Sequence, residues 1–304
     1  MPKKSSRRQR GPGARVAVLL LLLVLAAIVS WQIFTPRHRA EPLRVARASP
    51  RPPLATPSPT PAPVASSSPS ALPPVPARPA RSGGAKLALI VDDCGQWIDT
   101  ERGFLALDIP LTLSVLPSVR YTTTIQREAA AAGKGVMLHL PMETVSGLYP
   151  GPGEVTTEMS DAQIVAQVEA DLAQVPLATG VNNHEGSKGS ADPRVMRDVI
   201  GVLAKRGLFF IDSRTSAASV GEQTALAAGV PTAARDVFLD NRADLAYTEQ
   251  QLRDAAAIAR RTGSAIAIGH PRPTTLAAVR ALAPELQAQG IEFVLAGRLT
   301  SATH

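Results

Sequence analysis

An α/β domain, folded as a distorted (β/α) barrel of seven to eight parallel strands, is what the sequence predicts for residues 86–304. Three observations carry this. Short apolar runs alternate with helical patterns, which is how parallel strands joined by helical crossovers read. The helices have clear start and stop signals. Several of the runs are closed by acids or imidazoles, groups that a parallel barrel gathers on one rim because all its strands end on the same face. Seven or eight repeats in 219 residues are compact for a full eight-fold barrel of about 250 residues, hence a distorted or incomplete one. An open doubly wound sheet is the alternative.

The chain leading into this domain divides into three parts. Residues 1–15 carry Lys3, Lys4, Arg7, Arg8, Arg10 and Arg15 with no acid, and read as a basic cytoplasmic tail. Residues 16–34 are apolar apart from Ser30 and Gln32, close to the roughly 20 residues that span a bilayer. They read as a single-pass inner-membrane anchor, and the basic cluster before them keeps the N-terminus inside, so the C-terminal domain is expected in the periplasm. A cleaved signal peptide competes with this reading, but no small-x-small triplet follows the Leu-rich core directly. Residues 35–85 hold 14 of the 27 prolines and show no hydrophobic period, the composition of a disordered, extended tether.

Charge excludes one class of partner. Residues 1–85 carry 13 Lys and Arg against the one acid Glu41, so the net +7 of the whole chain leaves −5 for residues 86–304. A duplex-binding surface needs clustered positive charge, so no nucleic-acid partner is expected. Cys94 is the sole cysteine, which rules out an intramolecular disulfide; it reads as a small buried side chain.

Within the domain the expected strands are Lys86–Val91, Leu111–Leu116, Gly135–Leu140, Ala178–Asn183, Leu208–Ile211, Asp236–Leu239, Ala265–Ile268 and Ile291–Leu295. Ser160-Asp161 opens one helix, Asp192-Pro193 opens another that Gly207 stops, and a third runs from about Thr248 to near Gly263. Five motifs at strand ends carry chemistry. Asp92-Asp93 closes the first strand, and adjacent carboxylates repel unless a cation or a shared proton lies between them. His139, with Glu143 four residues on, suits a borderline metal such as zinc. Asn182-Asn183-His184, Asp212-Ser-Arg214 and Gly269-His270-Pro271 end three further runs. Each motif alone has a bland reading, as a turn, a loop apex, a core histidine or a structural ion pair. All five coincide only if one rim collects them.

At these residues the chain resembles the divergent polysaccharide deacetylases, a NodB-like branch of the carbohydrate esterase superfamily. The resemblance covers essentially all of 86–304. It is carried by Ile-Val-Asp-Asp93, Ser114-Val-Leu-Pro117, His139-Leu-Pro-Met-Glu143, Asn-Asn-His184-x-Gly-Ser, Leu-Phe-Phe-Ile-Asp-Ser-Arg-Thr215 and Ile-Gly-His270-Pro. It implies a rim-bound divalent metal, commonly zinc, with Asp92 as general base, Asp93 as a metal ligand and His270 as the acid that protonates the departing amine. The conventional family takes two metal histidines four residues apart, whereas here Glu143 and Lys188 occupy those positions. The expected triad is therefore Asp93, His139 and His184, from three strand ends, with Asn183, Asp212 and Arg214 at the substrate or the oxyanion.

The expected function is a membrane-anchored, metal-dependent removal of acyl groups, acetyl foremost, from an envelope polysaccharide or peptidoglycan fragment. A catalytically weak or inactive scaffold that binds an envelope glycan or an envelope protein is the alternative. An amidohydrolase barrel is disfavoured, since its His-x-His on the first strand is absent.

Overall fold

The computed structural model describes residues 84–302. The basic tail, the apolar segment and nearly all of the tether lie outside the described residues. Among the described residues no helix is long and apolar enough to cross a membrane.

In chain order the elements are β1 (Ala85–Cys94), α1 (Ile98–Leu105), β2 (Thr112–Val115), α2 (Thr122–Ala131), β3 (Gly135–Met142), α3 (Asp161–Gln174), β4 (Gly180–Glu185) and α4 (Pro193–Arg206). They continue with β5 (Phe209–Asp212), α5 (Gly221–Ala227), β6 (Thr232–Ala234), β7 (Val237–Phe238), α6 (Leu245–Thr262), β8 (Ser264–Gly269), α7 (Pro273–Ala288) and β9 (Ile291–Val294). The strands pair in the order β6-β5-β4-β3-β2-β1-β8-β7, all in parallel. Residues 232–238 bond to β5 with their first half and to β8 with their second, so the two edges of the sheet meet in one stretch of chain. β9 pairs with Ala85–Ala88, on the edge of β1 that β2 takes over from Ile90. The result is the expected distorted barrel, with an extra strand wedged beside the first half of β1.

Side chains alternate between two layers, as the two-residue period of a strand requires. Leu87, Leu89, Leu138, Leu140, Val181 and Phe210 face outward and join Ile164, Val168, Val199, Leu252 and Val279 of the helices in the main core. Ala88, Ile90, Met137, Ile211, Ile266 and Ile268 face inward and form a small plug of the barrel with Val294 and Ala296. The plug is short, so the inward positions beyond it are free for polar groups.

The helix signals operate as expected. Ser160 accepts from the backbone N–H of Gln163 in a capping box, Asp192 caps α4 ahead of Pro193, and Gly207 and Gly263 end α4 and α6 in the left-handed region. α6 starts at Leu245, three residues before the expected Thr248, because Asp244 caps the backbone N–H of Tyr247. β6 was not expected at all: Thr-Ala-Ala has no hydrophobic pattern to signal it. Cys94 is buried, and burial pushes its thiol well above the usual range.

One buried acid costs stability. Asp171 on α3 accepts from Gln167 Nε2 at 3.0 Å, its Oδ2 has no partner, and burial, opposed by Gln167, pushes its carboxyl from 3.8 up to about 7. The folded state therefore binds the proton more tightly than the unfolded chain. The penalty is absent below pH 3.8, grows as pH rises and is complete above about 7. Asp171→Asn should raise the unfolding temperature by roughly 5 °C at pH 7.5, should leave it nearly unchanged at pH 4, and should flatten the profile between. Thermal unfolding of the full chain against pH measures it.

Candidate functional site

Strand parity selects the groups that meet at the rim. On β1, Asp92 follows Ala88 and Ile90 and points inward; on β3, His139 follows Met137; on β4, Asn182 and His184 share one face; after β8, His270 follows Ile266 and Ile268. Asp93 would point outward by the same rule. It does not, because the pairing of β1 with β2 shifts between Val91 and Cys94 and Asp93 adopts a φ of 57°. Such a bulge re-aims a side chain, here placing two consecutive carboxylates in one site. Gly95 follows with φ 110°, where a Cβ would lie 2.7 Å from Val119. The backbone N–H groups of Gly95, Gln96 and Trp97 all donate to buried Glu101, which fixes the loop.

Asp93, His139 and His184 form a tight triangle. His184 Nδ1 lies 2.9 Å from Asp93 Oδ1, His139 Nε2 lies 3.2 Å from the same oxygen, and the two imidazole nitrogens are 3.1 Å apart. Asp93 Oδ1 is buried yet receives no hydrogen bond, and three potential ligand atoms lie together at one place. Ligands about 2.0–2.2 Å from a tetrahedral zinc would be about 3.3–3.5 Å apart. The triangle is a few tenths of an ångström tighter, and its donor set suits zinc. Burial alone would raise the Asp93 carboxyl, but the two imidazoles outweigh it and hold it well below the usual range.

Asn182 sets the orientation of both the acid and the first imidazole. Its Nδ2 donates to Asp92 Oδ1 at 2.8 Å and to Ser213 Oγ at 3.0 Å. Its Oδ1 accepts from Ser114 Oγ and, at 2.9 Å, from His139 Nδ1. All four hydrogen-bonding positions of the amide are used in full burial. Because His139 donates through Nδ1, its Nε2 carries the lone pair that faces Asp93 and His184. Asp92 Oδ2 lies 3.6 Å from that nitrogen. Burial raises the Asp92 carboxyl, opposed by the charges of His139 and His270 and by the Asn182 hydrogen bond.

His270 stands across the site, its Nε2 3.9 Å from Asp93 Oδ2. Its Nδ1–H donates to Asp240 Oδ1 at 2.8 Å, while the other Asp240 oxygen accepts from the His270 backbone N–H at 2.8 Å and from Thr275 Oγ1 at 2.7 Å. Burial would lower the His270 pKa, but Asp240 outweighs it and the net shift is upward. Phe238 stacks on the His270 ring, and the Arg235 guanidinium lies 3.8 Å over Phe238 while donating to the carbonyls of Ser213 and Arg214.

Five expected residues, Asp92, Asp93, His139, His184 and His270, are brought together; three are not. Asn183 donates to Glu185 O and Thr215 Oγ1 and accepts from the backbone N–H of Ser213, all within its own loops. Asp212 has outward parity and accepts from the backbone N–H groups of Arg214 and Glu222 and from Ser219 Oγ. Arg214 pairs with Glu222 at the surface. Glu143 likewise accepts from Thr157 and pairs with Lys188. Asn182, Ser114, Ser213, Asp240 and Arg235 were missed. Parity with His184 could have found Asn182, and the end of the Asp236–Leu239 run could have found Asp240.

A profile of the family described as divergent polysaccharide deacetylase matches residues 89–300. An uncharacterised protein of Haemophilus influenzae is 36% identical over 197 residues, 65% of this chain and 70% of its own length. The uncharacterised protein YibQ of Escherichia coli is 35% identical over 191 residues, 63% of this chain and 60% of its own. Among solved structures, an uncharacterised protein of Agrobacterium tumefaciens superposes with a TM-score of 0.68 at 28% identity, covering 73% of this chain and 92% of that one.

Proposed function

Because this chain belongs to the divergent polysaccharide deacetylase family, we propose that it is a metal-dependent hydrolase that removes acetyl or related acyl groups from an envelope glycan. The observation that carries the reading is the meeting of Asp93, His139 and His184 beside a buried carboxylate on one flank and an imidazole on the other.

Asp93 Oδ1, His139 Nε2 and His184 Nδ1 would hold the ion. A divalent ion such as zinc supplies Lewis-acid polarisation of an acyl carbonyl and brings the pKa of a water toward neutrality. Asp92, held at Oδ1 by Asn182, accepts the proton of the attacking water at Oδ2. His270, fixed through Nδ1 by Asp240, donates a proton from Nε2 to the leaving nitrogen as the C–N bond breaks. Water and an N-acetyl sugar become acetate and a free amine. The scaffold alternative drew its support from the missing second histidine four residues after the first. The 3.1 Å between His184 Nδ1 on β4 and His139 Nε2 supports the hydrolase reading over that alternative.

The N-terminal segments complete the proposal. A basic tail (1–15), an inner-membrane anchor (16–34) and a Pro-rich tether (35–85) would hold the domain in the periplasm, within reach of peptidoglycan or another envelope polysaccharide and of an envelope protein partner. The test is acetate release from peptidoglycan fragments and N-acetylglucosamine oligomers by the full chain in detergent. Release should stop with a chelator and return with zinc; no release from either substrate with zinc, nickel, cobalt or manganese present rejects the hydrolase.

A further inference from the structure

Asn182 makes hydrogen bonds whose sense is fixed at both ends of its amide. It stands on β4 in register with His139 of β3 on one side and with Ile211 of β5 on the other, and it is fully buried. From there it reaches Asp92 of β1, Ser114 of β2, His139, and Ser213 after β5. A hydroxyl donates or accepts, so the two serines adapt to whatever the amide presents. The other two partners leave no such choice. As a base Asp92 is ionised, and an ionised carboxylate only accepts, so the Nδ2 end must face it. The Oδ1 end then faces His139 and only accepts. His139 must therefore carry its hydrogen on Nδ1 and leave Nε2 bare toward Asp93 and His184.

Neither partner has a second anchor. Among the described residues, Asn182 Nδ2 is the only hydrogen-bond donor to the Asp92 carboxylate, and no Lys or Arg pairs with that acid. His139 Nδ1 bonds to Asn182 alone. Packing does not call for an amide here. The inward residues of the plug, Ala88, Ile90, Met137 and Ile211 among them, are apolar, and a buried amide is costly unless its groups are paired. The amide is also short and planar, so it keeps the acid and the imidazole in a constant relation, with Asp92 Oδ2 3.6 Å from His139 Nε2.

We propose that Asn182 is a positioning residue with two separable tasks: its Nδ2 end holds Asp92 for proton transfer, and its Oδ1 end fixes His139 so that Nε2 faces the ion. The first task rests on the hydrolase reading and deepens it. The second rests only on the triangle of Asp93, His139 and His184 as a metal site. The two tasks come apart when one end of the amide is changed and the other is kept.

The test compares Asn182→Leu and Asn182→Asp with wild type as full chains in detergent. Zinc affinity is read by competition with a chromogenic chelator, and kcat and KM by acetate release from N-acetylglucosamine oligomers at saturating zinc. Asn182→Leu keeps the bulk and loses both ends. Its zinc affinity should fall by about 10–100-fold, the range for a lost outer-shell partner, and its kcat by about 100-fold, within what proton transfer supplies, with KM little changed. Asn182→Asp keeps an acceptor for His139 but sets a carboxylate against Asp92, where the two acids repel or share a proton. It should bind zinc as tightly as wild type or tighter, because a carboxylate also orients a ligating His, yet lose turnover as Asn182→Leu does. A merely structural role would move both readouts together in both variants, and that result overturns the proposal. So does zinc affinity within about three-fold of wild type in Asn182→Leu, the lower end of the expected loss being about ten-fold. Should Asn182→Leu not fold, Asn182→Asp decides alone: zinc held with turnover lost supports the proposal, and both lost or both kept overturns it. If the wild type releases no acetate, the hydrolase reading fails by itself. The zinc affinities then decide the second task, and the place of the Asp92 side chain in crystals of either variant, displaced or unmoved, decides the first.

Discussion

If Asp92 is the general base, Asp92→Asn should lower turnover by about 10³-fold, within the range that general-base catalysis supplies, and should leave the metal content and the fold in place. The amide has the shape of the carboxylate, and its oxygen still accepts from Asn182 Nδ2 as Asp92 Oδ1 does. What it loses is the ability to take a proton at the second position, beside His139 Nε2. Stability should hold or rise slightly, because burial already disfavours the charged form of Asp92. The substrate KM should change little, since the base acts on water. Steady-state kinetics with zinc analysis of the same preparation measures all of this; unchanged turnover would remove Asp92 from the chemistry.

His184→Ala should abolish metal retention, if the proposed ion is held by the triangle. The side chain is partly exposed at the rim, its Nδ1 forms two edges of the triangle, and its removal leaves one carboxylate and one imidazole. Two ligands do not make the three-ligand set that catalytic zinc sites use. Outer-shell partners of a metal site are worth about 10–100-fold in affinity, so the loss of a direct ligand should exceed 100-fold. Wild type should keep one zinc per chain through dialysis and the variant close to none, with unfolding temperatures of the two metal-free proteins within about 2 °C of each other, as expected for a change outside the core. Equal zinc retention would show that His184 does not bind the ion.

How far the site could be read from the sequence depended on which physical rule governed each residue. Asp92, His139 and His270 each end a clean apolar run at a position that strand alternation turns inward, so a polar residue there is conspicuous. The capped helices were legible for the same local reason, since Ser160, Asp192, Gly207 and Gly263 act within one turn. Asn182 and Asn183 both precede His184, and only continuing β4 through His184 shows that Asn182 shares its face. The same continuation turns Asp212, next to inward Ile211, toward its own loop.

Asp93 lies beyond any pattern of alternation. Its inward turn depends on a left-handed backbone and on a shift in the register of β1 against β2. Asp240 directly follows the expected Asp236–Leu239 run, but β7 is only two residues long and shows no alternation that would single out an inward acid. Closure through residues 232–238 was invisible in its first half, because Thr232–Ala234 is too short to show a period and is held by a strand other than the one that holds the second half.

Anomalous diffraction at the zinc edge, from crystals of the protein grown with zinc, tests the proposed metal centre most directly. One peak within about 2.0–2.2 Å of Asp93 Oδ1, His139 Nε2 and His184 Nδ1, with Asp92 and His270 beside it but not ligating, is the expected result. A peak elsewhere, or none at that triangle at full zinc occupancy of the buffer, would contradict it.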